Sequence, residues 1–362
     1  MLLVLLLLLS FDNAFGYETI HLIKPNSSFE SLSLNSACTV NYIGQTSYQC
    51  NPALQHKYKE KGVLNFLALG KAEGDAIDNT QNIFFEKIEE NKLREILEQE
   101  NFNSFSSYTE ISLINKYFAL NYSPNYIMSN LLVFNPAILK ANVNYSNFST
   151  LSLTSSKEVF TNPNFSFTLG ASVRYISGNR LIQSFDSLDF NDNDSAQKLF
   201  EQESFNNLQS DIGLLGEFSS PFIPNWSIVA KNFGSNYQQK SDLINDDESL
   251  ESLYHYSSYL KLGFGKSYNI NYGDIGVEVS SPLPHKDHMD FIFEDYIVYS
   301  VFYNIEYLTL MASYNDYIQT MAINFGNEFS KIGLVFSNER EIIGFNIEDQ
   351  QSTYIYFSLA FD

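Results

Sequence analysis

The chain has 362 residues with 42 acidic against 21 basic side chains, a formal net charge of −21. That balance excludes nucleic acid, which needs basic patches, and disfavours docking on anionic lipid surfaces. Aromatic residues reach 15%, with 31 Phe and 24 Tyr against one Trp, a usage that suits the aromatic girdles of a membrane β-barrel better than a soluble domain.

Residues 1–16 begin with an apolar run too short to span a bilayer, followed by Ala14-Phe15-Gly16. This reads as a signal peptide cleaved near Gly16, and it implies export. No later stretch offers ~18 consecutive apolar residues, so helical membrane spans are excluded. Residues 17–108 are read as an N-terminal plug or cap. Cys38 and Cys50, 12 positions apart, are the only cysteines; in an exported chain they are expected to form a disulfide, worth about 3 kcal/mol by loop entropy. Val63–Leu69 reads as one strand. Within 78–100, Ile83, Phe84, Ile88, Leu93, Ile96 and Leu97 recur at helical spacing behind a capping-box-like Asp78 and Gln81, predicting one helix that packs on the barrel or plugs it.

From about Thr109 to the end, apolar and polar residues alternate with period 2. Phe165, Phe167, Leu169, Ala171, Val173 and Tyr175 face one way; Ser166, Thr168, Ser172 and Arg174 face the other. Eight such segments precede Tyr296. Six more follow, joined by very short turns, with Ser337–Arg340 read as one of them, so each neighbour is antiparallel. The expected fold is all-β: a closed antiparallel transmembrane barrel of about fourteen strands (12–16), residues 109–362. Three connections, 186–203, 242–251 and 287–295, are long and acidic. Counting strands back from the C-terminal end places them on the periplasmic side.

Catalytic and metal signatures are missing. Gly263-Phe264-Gly265-Lys266-Ser267 lacks the first glycine of a phosphate loop, and His285 and His288 in HKDHMD have no third fixed ligand. No enzyme and no cofactor are expected.

Several pieces align in order with a known group. Asn51-Pro52-Ala53 resembles the Asn-Pro-Ala signature of outer-membrane proteins of the long-chain fatty acid transporter (FadL) type. A closer likeness is to TraF-like and PorV-like barrels, in which Asn-Pro-Ala-Leu precedes a strand and an acidic helix. Phe167–Tyr175 looks like their glycine-bearing strand, and Asp211–Leu215 followed by Trp226–Gly234 looks like their paired hairpin. The resemblance implies a bacterial outer-membrane barrel in lipid, placed by the barrel insertion machinery. Phe357, Leu359 and Phe361 would be its C-terminal insertion signal, although Phe361 is penultimate here. Two functions stay open under it: passage of a small hydrophobic ligand through a plugged lumen, or a non-transporting scaffold for a secretion, conjugation or surface-assembly partner. A soluble exported β-protein or adhesin is the alternative outside the resemblance.

Overall fold

Alternating side chains make each strand two-faced, and the chain satisfies both faces by closing a sheet on itself. The computed structural model describes residues 29–58, 62–73, 102–133, 140–186, 202–233, 259–282, 297–316, 318–327, 329–343 and 346–361. The stretch read as a signal peptide and the expected helix stripe Ile83, Phe84, Ile88, Leu93, Ile96 and Leu97 lie outside the described residues, as do most of the three acidic connections.

Fourteen strands form one closed antiparallel barrel. In chain order they are β1 (Val63–Glu73), β2 (Phe102–Ile114), β3 (Phe118–Val133), β4 (Lys140–Asn162) and β5 (Phe165–Asp186). Next come β6 (Glu203–Phe218), β7 (Asn225–Phe233), β8 (Tyr259–Ile270), β9 (Gly273–Pro282) and β10 (Val298–Ile305). The last four are β11 (Leu308–Tyr314), β12 (Ile318–Gly326), β13 (Ser330–Ile343) and β14 (Asn346–Phe361). Each strand pairs with its sequence neighbours, and β1 pairs with β14 from Leu64↔Phe361 to Lys71↔Tyr354, which removes the open edge. Phe361 packs edge-to-face on Phe66 across that seam, ring centroids 6.0 Å apart.

Register turns the alternation into rings. On the outside Phe66, Ile111, Tyr122, Leu151, Tyr175 and Leu208 pair in succession across β1 to β6, all exposed. One residue away on the inside runs Asn65, Ser112, Asn121, Ser152, Arg174 and Gln209, all buried. An apolar outside and a polar inside reverse the order of a soluble protein and match a wall immersed in hydrocarbon. Phe357 and Phe361 lie on that outer face.

Three expectations on strand layout need correction. First, the barrel wall begins at Val63 and not at 109: β1 and the first half of β2 lie within the stretch read as the N-terminal cap, which leaves residues 29–58 as the part inside the lumen. Second, five strands follow Tyr296, not six. Ser337–Arg340 looks like a turn because it is polar, yet it is the middle of β13, paired from Ser337↔Ser352 to Arg340↔Asp349; β13 and β14 simply continue past the apolar band. Third, a phase break near Pro124 looks like the end of a strand but is a bulge. Both β3 neighbours shift register at Pro124-Asn125, where proline cannot donate to the ladder. Inward residues then change from Asn121 and Ser123 to Tyr126 and Met128. The total stayed at fourteen while one strand moved from the end of the chain to its beginning. The connections after β5, β7 and β9 therefore leave from the rim opposite Phe361, not from its own rim. Short turns gather on the Phe361 rim, the habit of membrane barrels whose long loops face outward.

Reversing one outward residue tests the lipid-facing assignment. Val173→Arg should cost about 2–4 kcal/mol in urea unfolding from phospholipid vesicles, against about 0–1 for Tyr272→Arg at the rim. Equal costs at both positions would refute it.

Candidate functional site: a plugged lumen

Residues 29–58 fill one end of the lumen, and their irregular backbone has to find partners there because lipid offers none. The barrel wall supplies them. After the short helix α1 (Phe29–Ser33), Thr320 on β12 donates its hydroxyl to the Ser33 carbonyl and Ser300 on β10 donates to that of Ala37. Glu278 on β9 then takes the next three residues together. Its Oε1 accepts from Thr39 N at 2.6 Å and Thr39 Oγ1 at 2.9 Å, and its Oε2 accepts from Val40 N at 3.1 Å and Asn41 N at 3.2 Å. All four contacts are donated to it, the pattern an ionised carboxylate accepts.

Cys38 and Cys50 are joined, with Cα atoms 5.6 Å apart, so the disulfide expected from the sequence is present. It brings the Glu278 anchor beside a second one. Tyr48 donates to Asn121 on β3 at 2.7 Å, Gln49 gives its amide to both oxygens of Glu110 on β2 at 3.0 Å, and the Gln49 carbonyl accepts from Lys231 on β7.

Asn51, Pro52 and Ala53 make the tightest fit in the plug. Asn51 caps the 3-10 turn Pro52–Lys57 by accepting from Ala53 N at 2.9 Å, and Pro52 opens that turn, where a missing N–H costs nothing. Asn51 Nδ2 donates to the Thr39 carbonyl at 2.7 Å, which ties the two anchors together. The turn lies directly on wall glycines. A Cβ at Gly170 of β5 would strike the Pro52 and Ala53 backbone, and one at Gly213 of β6 would strike the Asn51 side chain. At the Phe361 rim, Lys57 pairs with Glu217 at 2.6 Å and Gln55 donates to the Asn115 carbonyl.

Beside the plug lies a buried charged cluster. Arg174 Nη2 meets Asp211 Oδ2 at 2.9 Å, and Lys231 meets the same oxygen at 3.3 Å. Asn232 has a left-handed φ of 56° where the β6–β7 register shifts. That bulge turns its N–H onto Asp211 Oδ1 at 2.8 Å. Part of the lumen face is apolar and shares one buried cluster with Leu34, Cys38, Ile43 and Cys50 of the plug: Leu69, Met128, Ile176, Tyr354 and Tyr356 are buried there, and Tyr126 stacks on Phe148 with centroids 4.3 Å apart. Tyr108 joins that stack edge-on and donates its hydroxyl to Glu110.

Of the residues singled out from the sequence, the structure brings together Cys38, Cys50, Asn51, Pro52 and Ala53, while Phe357, Leu359 and Phe361 stand apart in β14. Sequence reading passed over Glu278, Glu110 and Glu217, and took Asp211 and Lys231 only as parts of a resembling hairpin. A signal existed: each carboxylate sits at an inward position of an alternating strand, as Glu278 does between Val277 and Val279.

No protein-family model matches the chain, and no curated protein does. Solved structures do. A deltaS2S3 mutant of the monoaromatic hydrocarbon channel TodX aligns over 97% of this chain and 99% of its own, with 10% identity and a TM-score of 0.51. The toluene transporter TbuX of Ralstonia pickettii aligns over 97% and 100%, with 8% identity and a TM-score of 0.49. A FadL homologue of Pseudomonas aeruginosa aligns over 96% and 98%, with 11% identity and a TM-score of 0.43. At such identities the likeness is one of fold, and the argument rests on the first. It agrees with a closed barrel of that channel's fold and gives no support to a closer kinship with TraF-like or PorV-like proteins.

Two outcomes follow for the plug. Glu278→Gln puts an amide nitrogen where acceptors are needed, so hydrogen exchange at Thr39, Val40 and Asn41 should accelerate by about tenfold or more; unchanged protection would show that Glu278 is no anchor. His56 donates Nδ1–H to the Ala53 carbonyl at 2.7 Å, and burial holds its pKa below the ordinary histidine value, with Glu217 opposing. A depressed folded pKa means that the unfolded chain takes up the proton first as pH falls. His56 thus contributes stability above the ordinary histidine pKa of ~6.5 and loses it below. An NMR titration of His56 should show its midpoint below 6.5, and a midpoint above it would reverse that sign.

Proposed function

We propose that the protein is an outer-membrane channel that passes small apolar molecules through a plugged lumen. One observation carries this reading: the inward face bordering the plug carries a cluster of aromatic and aliphatic side chains, notably Tyr126, Phe148, Met128 and Ile176, whereas a pore for hydrophilic solutes keeps a polar lumen. The fold likeness to a channel described as one for monoaromatic hydrocarbons supports it. The outward apolar band, with the export signal read in residues 1–16, supports an outer-membrane location, short turns toward the periplasm. Phe357, Leu359 and Phe361 on β14 are assigned as the segment read by the insertion machinery. The work of the fold is passage, not catalysis.

A scaffold for a secretion or surface-assembly partner is the second reading. It is favoured by how firmly the wall holds residues 29–58 through Glu278, Glu110 and the Lys57–Glu217 pair, since a permanent plug needs no passage.

Vesicles carrying the purified barrel separate the two. The channel reading expects toluene to enter faster than into empty vesicles while small sugars stay out, and deletion of 29–58, which leaves all fourteen strands, to admit the sugars. Toluene entry no faster than in empty vesicles would refute the channel and favour the scaffold.

A further inference from the structure

Two donors on the lumen wall lack acceptors among the described residues, and they belong to neighbouring residues. Arg174 and Gln209 pair in register on β5 and β6, both facing inward and both more than nine-tenths buried. Arg174 gives Nη1 to Gln209 Oε1 at 3.0 Å and Nη2 to Asp211 at 2.9 Å. Its Nε finds no partner among the described residues, and neither does Gln209 Nε2. Turning the amide round does not help, because its nitrogen would then face the guanidinium, donor against donor. Buried donors are ordinarily satisfied, so a neighbouring pair that is not points to a ligand acceptor.

The surroundings define that acceptor. Ile176 is the next inward residue on β5, and the Tyr126–Phe148 stack lies one further rung along, where Phe148 pairs with Gly178. On the other side Gln49 closes the floor through Lys231 and Glu110. Charge there is balanced: Arg174 and Lys231 are offset by Asp211 and Glu110. A carboxylate would need spare positive charge, and a bare hydrocarbon would leave both donors unmet. A neutral oxygen attached to an apolar body meets both conditions.

We propose that this wall holds a subsite for a neutral, oxygen-bearing aromatic molecule such as an aryl ketone or aldehyde. Arg174 Nε and Gln209 Nε2 donate to its oxygen, and its ring lies against Ile176 toward the aromatic stack. The proposal rests on the channel reading and narrows its substrate class from apolar molecules at large to those with one hydrogen-bond acceptor.

Equilibrium dialysis of radiolabelled acetophenone, ethylbenzene and benzoate against the barrel in lipid nanodiscs, with empty nanodiscs subtracted, tests it. Acetophenone should bind about tenfold tighter than ethylbenzene, as expected for a charge-assisted hydrogen bond, and tighter than benzoate. Gln209→Glu keeps an acceptor for Arg174 and removes the free donor; Gln209→Met removes the donor without adding charge. Both should reduce acetophenone toward the ethylbenzene level and leave ethylbenzene unchanged, in barrels whose heat-modifiable migration shows them closed. Equal binding of the two neutral probes, retention of the preference in both variants, or tightest binding of benzoate would overturn the subsite while leaving the channel standing. Binding of no probe at all would overturn the channel reading and this inference together.

Discussion

Irregular backbone inside a barrel cannot turn to lipid for its hydrogen bonds, and Glu278 answers the densest part of that demand. Its two oxygens accept from three successive backbone amides and a hydroxyl of the plug. A lone buried charge would be costly, but a carboxylate surrounded by donors is one of the stronger arrangements a protein can make. Other plug contacts depend on it. With Thr39–Asn41 fixed, the Thr39 carbonyl can receive Asn51 Nδ2, and the Asn51–Ala53 turn is thereby laid on β5 and β6.

The wall has made room for that turn by leaving out side chains. Gly170 and Gly213 pair with each other across β5 and β6, so their missing Cβ atoms form a single shallow recess, and the plug backbone occupies it. Glycine normally weakens a strand; here the loss is offset by contact that no larger residue permits. Polar anchoring and close steric fit thus act on the same segment between Thr39 and Ala53, which explains why a stretch with so little regular structure is held firmly.

How much of this was legible in the sequence depends on the range of the interaction involved. Residues 165–175 declare their two faces without help, because alternation is a local property and the structure keeps it. The Cys38–Cys50 bond was also within reach, since two cysteines allow one intramolecular pairing. Strand boundaries were harder. At Ser337–Arg340 a polar run looked like a turn because the ladder continues beyond the apolar band, and at Pro124-Asn125 an inserted residue looked like the end of a strand. Val63–Leu69 was seen as a strand, but its place in the wall depends on pairing with β14, almost three hundred residues away. The plug anchors were the least visible, because Glu278 and Thr39 become neighbours only once the barrel has closed. An isolated acid in an otherwise apolar strand was the one available hint.

The disulfide constrains the order of assembly. Cys38 and Cys50 precede β1 in the chain, yet in the finished molecule they are 0% and 4% exposed, enclosed by the wall. The wall is closed where β1 meets β14, the two ends of the strand series. An oxidising enzyme can reach the thiols only while that seam is open. The covalent link is therefore expected to form before the seam closes, so that the barrel wraps a plug that is already cross-linked.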